Sequence, residues 1–397
     1  MNPIELSVLN TKFEEVGIID TPISLIWTDR FDQSGDFELC LPMDNSFLEF
    51  LKKDYYLVTD ESDRVMIVED IDITTDAEDG PQLIITGRSL EQIIDRRIVL
   101  NKTSFEAEYD DEGNKTEPNL QNGLKKLFDE NLISPEIAAR RIPNFIFKES
   151  TDEKITKLTF EAQYYGEDLY EIVTKQCQEN EIGFRITLDE NYQFIFELIA
   201  GIDRSYDQFD NTYVVFSRDN DNLFNSSYYT SKKEYKNMAI VVGEVEKEAE
   251  YDADGNLIVP ELRTVIMFGQ TINESGGIET YSGLERREIF EDASNISHTP
   301  DELTELTDEQ YKAHLKQRAI DTLIEKLEVE IFEGEIEATI MYKYGEDFFI
   351  GDIVQLEDEY GNDGKARVSE FIISQDSSGI SMYPTFTTIQ EGEYDYE

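Results

Sequence analysis

The chain has 397 residues and a mass of 45.9 kDa, and at roughly 150 residues per domain two or three domains are expected. Its 35 Lys and Arg stand against 87 Asp and Glu, a formal charge of −52. Nucleic acid and anionic membranes are therefore disfavoured as direct partners, because phosphate binding needs clustered cations. With 39% hydrophobic residues, 23 Phe and 21 Tyr, the composition supplies cores and is not that of a disordered chain.

No apolar run exceeds Met238–Val242, far short of a membrane span. Met1–Ile19 carries Glu5 where a signal peptide has basic residues and then an apolar core, so a soluble chain that is not itself secreted is expected. The first hundred residues read as strands. Phe37, Leu39 and Leu41 alternate with Asp36, Glu38 and Cys40, and Pro42 ends that run. Tyr55–Thr59, Val65–Ile73 and Gln82–Thr86 follow, a spacing that predicts a small barrel or sandwich. A short helix is expected after Gly87, with Leu90, Ile93 and Ile94 on one face.

The pattern changes near residue 100. Residues 106–117 are acidic and turn-rich, and Pro118 opens a helix carrying Leu120, Leu124, Leu127 and Phe128. A second helix spans 167–181 with Leu169, Ile172, Val173 and Cys177 as its stripe, stopped by Gly183. Strands are expected at 184–188 and 192–199, then at Tyr213–Phe216, Tyr228–Thr230 and Met238–Val242. Asp254-Gly255-Asn256 reads as a hairpin turn. A long helix from about Asp308 to Ile331 starts at Thr307, with Gln310 as capping-box partner. Its buried stripe is Tyr311, Leu315, Ala319, Leu323 and Leu327, which leaves His314 on the helix surface. Ile336, Ala338, Ile340 and Tyr342 then alternate as a strand.

Nothing in the sequence argues for catalysis, a cofactor or a bound metal. Cys40 and Cys177 are the only cysteines, and His298 and His314 the only histidines, in no ligand spacing. Among 87 carboxylates no Asp or Glu pair stands in a recognisable catalytic setting. The run Asp252-Ala253-Asp254-Gly255-Asn256 fails a calcium loop, with Gly255 at the fourth position and Arg263 at the twelfth. No glycine-rich phosphate loop is present. Arginines are scarce enough for their clusters to matter. Arg88, Arg96 and Arg97 bracket the short helix, Arg140 and Arg141 precede Pro143, and Arg286 and Arg287 lie within Glu285–Glu288. Each is either an ion pair within the chain or a clamp at a subunit junction.

Asp54–Ile73 and Asp352–Ile373 both read strand, acidic turn, strand, each followed by a further strand, with Asp54 set against Asp352 and Glu69 against Glu370. Two copies of one small β-barrel plan, flanking a mixed insertion, are expected. The fold class is α+β, mainly β, with two related antiparallel barrels. The first occupies 1–100. An α+β insertion at 101–205 is completed by 247–332, second-barrel strands at 206–246 by 333–390, and 391–397 form an acidic tail.

Trp27-Thr28-Asp29-Arg30-Phe31 with Gly35–Pro42 resembles the opening of the tail-hub proteins of long-tailed phages. Ile85–Leu90 running on to Asp95–Ile98 is similar to that family's end of the first barrel, Gly283–Ala293 to its middle-domain signature, and Gly351–Val354 with Tyr383–Phe386 to its closing barrel. The resemblance spans nearly the whole chain, in order. It implies a structural virion protein, without enzymatic activity, that forms a homotrimer. Two barrels per chain would make a near-sixfold ring joining a tail tube or distal tail ring to a threefold tip with its fibre or tip proteins. Contacts are then expected at Trp27, Arg30, Arg88, Arg96, Arg97, Glu285, Arg286, Arg287 and Glu288. Assembly would occur in the host cytoplasm, and the acidity would suit a channel through which DNA leaves. Nine residues follow Thr388, too few for a wall-degrading domain, which is expected on another chain. The other readings are a wall-degrading glycosidase or peptidase and a carbohydrate-binding module.

Overall fold

The computed structural model describes residues 3–388 except 77–79, 110–114, 218, 221, 253, 255, 273–277, 301–304, 336–340 and 358–362. Strands dominate it. The first unit holds β1 (Leu6–Leu9), β2 (Glu15–Ile19), β3 (Ser24–Arg30), β4 (Asp36–Pro42), β5 (Tyr56–Thr59), β6 (Ser62–Asp76) and β7 (Gly80–Ser89), with α1 (Asn45–Phe50) between β4 and β5. In β4 Phe37, Leu39 and Leu41 are buried and Glu38 is exposed as expected, but Cys40 on the opposite face is buried as well. The expected helix after Gly87 is a 3₁₀ segment, Leu90–Arg96.

The insertion contributes β8 (Thr103–Phe105), β9 (Glu108–Tyr109), β10 (Lys115–Thr116), α2 (Leu120–Phe128), β11 (Phe145–Lys148), α3 (Glu153–Thr156), β12 (Ala162–Tyr164), α4 (Leu169–Glu179), β13 (Gly183–Leu188) and β14 (Phe194–Ile199). Asn119 and Asp168 cap α2 and α4 by accepting from backbone N–H groups of the first turn. Phe128, Phe147, Phe184 and Phe196 pack together at the centre of this core, which also takes in Val65 and Ile67 of β6. Gly183 does not terminate α4. The positive φ belongs to Glu181, at 52°. Gly183 is instead a close approach, since a Cβ there would lie 2.4 Å from Phe31.

The remaining strands are β15 (Val215–Ser217), β16 (Phe224–Ser231), β17 (Met238–Lys247), β18 (Glu250–Tyr251), β19 (Leu257–Val259), β20 (Leu262–Phe268), β21 (Gln270–Ile272), β22 (Ile278–Thr280), β23 (Glu288–Asp292), β24 (Val329–Glu335), β25 (Ile353–Glu357), β26 (Asp363–Asp376) and β27 (Gly379–Thr388). The helix α5 (Asp308–Ile324) precedes β24, and its Thr307–Gln310 capping box forms as expected. It is shorter than its apolar stripe suggested. Residues from Val329 onward are drawn into β24 by pairing with β16 and β27, and Leu327 is left exposed. The expected strand at Ile336, Ala338 and Ile340 lies outside the described residues.

Hydrogen bonding runs β3-β4-β7-β6-β5-β1-β2 in the first unit and β16-β24-β27-β26-β25-β15 in the second. The two follow the same path from β3 or β16 onward. They differ at one end, where β1 joins β5 antiparallel and β15 joins β25 parallel. Antiparallel pairing of β26 with β3 fuses them into one sheet. Among the described residues neither unit closes into the expected barrel. The outer edge of β3, which closure would require, is spent on β26. Met238–Val242 is not a second-unit strand either. It lies in β17, central in the sheet β20-β17-β23, because Ala239 and Val241 pack against Tyr311, Leu315 and Ala319 of α5.

The two units share further details. Each long strand carries a bulge near its midpoint, at Glu69 in β6 and at Ser369 in β26. In each unit the residue before the bulge hydrogen-bonds an elbow. Val68 exchanges bonds with Asp54 N–H and the Tyr55 carbonyl, and Val368 with Gly351 N–H and the Asp352 carbonyl. Asp54 and Gly351 both have positive φ, 65° and 89°. The matches Asp54 with Asp352 and Glu69 with Glu370 are each one residue out. The structural counterparts are Asp54 with Gly351, and Glu69 with Ser369.

Candidate interface surfaces

The nine residues expected at contacts are not brought together. Trp27 is fully buried in the first unit, its indole N–H donating to Asp29 Oδ1 at 3.0 Å, so it belongs to the core and not to a contact surface. Arg30 bolts the two units of one chain. Its Nε reaches Glu370 Oε1 at 2.7 Å across the β3–β26 seam, and its Nη1 reaches Asp36 Oδ2 at 2.6 Å. Arg88 grips Glu69 with two bonds of 2.8 and 2.9 Å, and Arg96 meets Asp54 at 3.4 Å. Arg97 donates to the carbonyls of Arg140 and Arg96, both at 2.7 Å.

Gly283–Glu288 forms a corner docked on residues 232–237. Asn237 accepts from the Arg287 N–H at 2.8 Å and donates to the Glu285 carbonyl at 2.8 Å. Arg287 also donates to the Lys232 carbonyl and lies over the Tyr235 ring, while Arg286 pairs with Glu288 at 2.5 Å. Beside this corner an apolar row crosses the outer face of the three-stranded sheet. Met267 and Phe290, each more than half exposed, stand in register with Ile240 between them, and Leu284 is wholly exposed.

Two buried polar clusters escaped the sequence, because each joins residues far apart in the chain. In the first, Arg64 and Glu91 form a salt bridge out of contact with solvent. Glu91 Oε1 also accepts from the Ile186 N–H at 2.8 Å, and Arg64 donates to the Arg30 carbonyl at 3.1 Å. This ties β3, β6, the 3₁₀ segment and β13 together. Burial pushes the neighbouring Asp29 carboxyl up to about 6, against the opposing pull of Arg64.

The second lies between α4 and α5. The Gln317 amide donates to Glu179 at 2.6 Å and to Asp321 at 3.1 Å. Burial first, and the Asp321 charge second, push the Glu179 carboxyl up to about 8, and burial raises Asp321 as well. Arg318 pairs with Glu167 next to it. A raised carboxyl beside a second one is the pairing a glycosidase uses, but acid catalysis needs the sugar to reach it. A hollow lies elsewhere, at the start of α5, lined by Thr307, Asp308, Glu309 and Gln310. His314 is not a surface residue. It is fully buried, because α5 is covered on a second side by the insertion, and burial pushes its pKa down and keeps it neutral. Among the described residues no helix is long and apolar enough to cross a membrane.

Solved structures resemble this fold over nearly its full length. A tail protein from Neisseria meningitidis MC58 aligns with a TM-score of 0.50 and 9% identity, covering 97% of this chain and 96% of that one. The 43 kDa tail protein of prophage MuSo2 from Shewanella oneidensis gives 0.49 and 12%, covering 96% and 98%. Prophage tail protein gp18 from Listeria monocytogenes EGD-e gives 0.46 and 11%, covering 98% and 95%. No curated protein sequence matches. The family described as Siphovirus ReqiPepy6 Gp37-like protein matches residues 5–386, and the chain belongs to this family of siphovirus tail proteins.

Proposed function

We propose that the chain is a non-enzymatic hub subunit of the phage tail, a homotrimer that joins a sixfold tube or distal ring to a threefold tip. The observation that supports this best is the duplication. One chain carries two sheet units with the same strand path, the same bulge and the same elbow, fused edge to edge through β3 and β26. Three such chains around an axis present the unit six times, which is how a threefold body can match a sixfold neighbour. The location would be the tail tip, with assembly in the host cytoplasm. Its further partners are a distal tail or tube protein on one side and fibre or tip proteins on the other. The charge of −52 suits a bore through which DNA slides without binding.

The test is the native mass of the purified chain across a concentration series. A particle of three 45.9 kDa chains is expected. A closed dimer would overturn the reading, since a twofold cannot match a threefold tip. Peptidoglycan turnover lost on substitution of Glu179 would favour the enzyme instead.

A further inference from the structure

We infer that the hairpin arm of one copy of this chain, residues 248–261, docks on the outer face of the sheet β20-β17-β23 in a second copy, beside the Gly283–Glu288 corner. The inference rests on the homotrimeric reading and names a contact for it outside the two sheet units. The arm continues β17 and β20 beyond their last pair, Lys247 with Leu262. Its strands β18 and β19 pair with each other and with no other strand among the described residues. Tyr251 and Leu257 stand opposite each other, 62% and 56% exposed, and Ile258 and Val259 are exposed as well. A lone two-stranded hairpin is marginal in water, because nothing beneath it buries its side chains. Four large apolar residues on such an arm call for a surface to lie on.

The receiving face is apolar in the same way. One face of the three-stranded sheet is covered by α5. On the other, Met267, Ile240 and Phe290 stand in register, Val265 follows two residues along β20 on the same side, and Leu284 lies beside them wholly exposed. A contiguous apolar patch of this kind on a soluble surface marks a contact site. The charges of the two surfaces are opposite. Residues 248–261 carry five Asp and Glu and no Lys or Arg. Residues 232–237 and 283–288, which meet at the corner, together carry five Lys and Arg against three Glu, in a chain whose net charge is −52. Lys233 and Arg287 are exposed there.

The two surfaces cannot meet within one chain. The corner bonds to Asn237 and Met238, where β17 begins, and the arm leaves at Lys247, where β17 ends. At about 3.3 Å per residue, the ten residues of β17 set these points about 30 Å apart. An arm of seven residues to a side spans only about 23 Å. Accordingly its side chains and those of Met267, Phe290 and Leu284 are all left exposed in the single chain. Arm end against corner end is a head-to-tail contact, the type that generates a ring when its rotation closes.

Two full-length variants, each impaired on one side, test the contact. Tyr251→Ser with Leu257→Ser removes the arm's apolar groups, and Leu284→Asp with Phe290→Ser removes the receiving ones. All four side chains are more than half exposed, so circular dichroism should match the parent chain. Each variant alone should associate at least about tenfold more weakly than the parent in sedimentation. Mixed in equal amounts they should regain one-to-one pairs, because one intact arm then meets one intact face. Variants that assemble as the parent does overturn the contact and leave the homotrimer standing. A mixture no more associated than its components also overturns it, since the two losses then share no joint. A parent chain that is a monomer at every concentration overturns the contact and the homotrimer together. Lys233→Glu, a single exposed change, should weaken association, while Lys12→Glu in the β1–β2 turn should not; equal effects of the two would reduce the result to net charge and count against the contact.

Discussion

Ile73 and Ile373 are the same residue at the same place in two copies of one strand, yet one is half exposed and the other fully buried. The difference comes from β3, which covers the outer half of β26 and has no equivalent on β6. Burial of a strand is therefore a property of its neighbours, and an alternating sequence reports only that a neighbour is wanted. A second difference lies at the start of each long strand. The first unit places Arg64 there, salt-bridged to Glu91, where the second has Gly364. That pair pins the insertion to the first unit alone.

The seam between the units is tested most severely by Trp27→Ala. It empties a fully buried site in β3 and should cost about 3–5 kcal/mol, seen as an earlier denaturant midpoint. A cost below about 1 kcal/mol would mean that β3 is not held as described. Arg64→Leu probes the asymmetry between the units. Leaving Glu91 buried without its partner should cost about 3 kcal/mol, and the double change Arg64→Leu, Glu91→Leu should recover most of it in the same unfolding experiment.

Glu179→Gln lies outside both units and provides a contrast through pH. The folded carboxyl titrates near 8 against an ordinary value of 4.5, so its contribution is complete below about pH 4.5 and is lost as pH rises through 8. The variant should melt with the parent chain at pH 4.5 and a few degrees above it at pH 8.5 in a thermal scan. The smallest effects come from paired arginines at the bulges. Arg30→Ala removes a half-buried clamp on two carboxylates and should cost about 1.5 kcal/mol. Arg88→Ala, at the exposed bulge of the first unit, should cost under about 1 kcal/mol by chemical denaturation. Equal costs would show that the covered and bare edges are energetically alike.

Local chemistry was readable from the sequence where short-range rules decide. The buried Phe37, Leu39 and Leu41, the α2 and α4 stripes and the Thr307 capping box all appear as read, and the strands flanking the expected Asp254-Gly255-Asn256 turn pair, although Gly255 itself lies outside the described residues. The repeat was visible as a pattern but out of register, because the like residues Asp352 and Glu370 stand one place beyond Gly351 and Ser369, the true counterparts of Asp54 and Glu69. His314, Gln317 and Asp321 look like a solvent face and are instead a buried polar one, since α5 is packed from two sides. Trp27 marked an important strand, but for the inside of the molecule. The Arg64–Glu91 and Glu179–Asp321 clusters span distances that no local motif encodes.

Phe31 has a mechanical consequence. Its backbone bonds to Ser369 on one side and to Phe184 on the other, its ring fills the space a Cβ would need at both Gly183 and Gly351, and Arg367 lies over its face at 5.0 Å. Turning one unit against the other would have to break these contacts together, so each chain moves as a single stiff lever with the insertion attached.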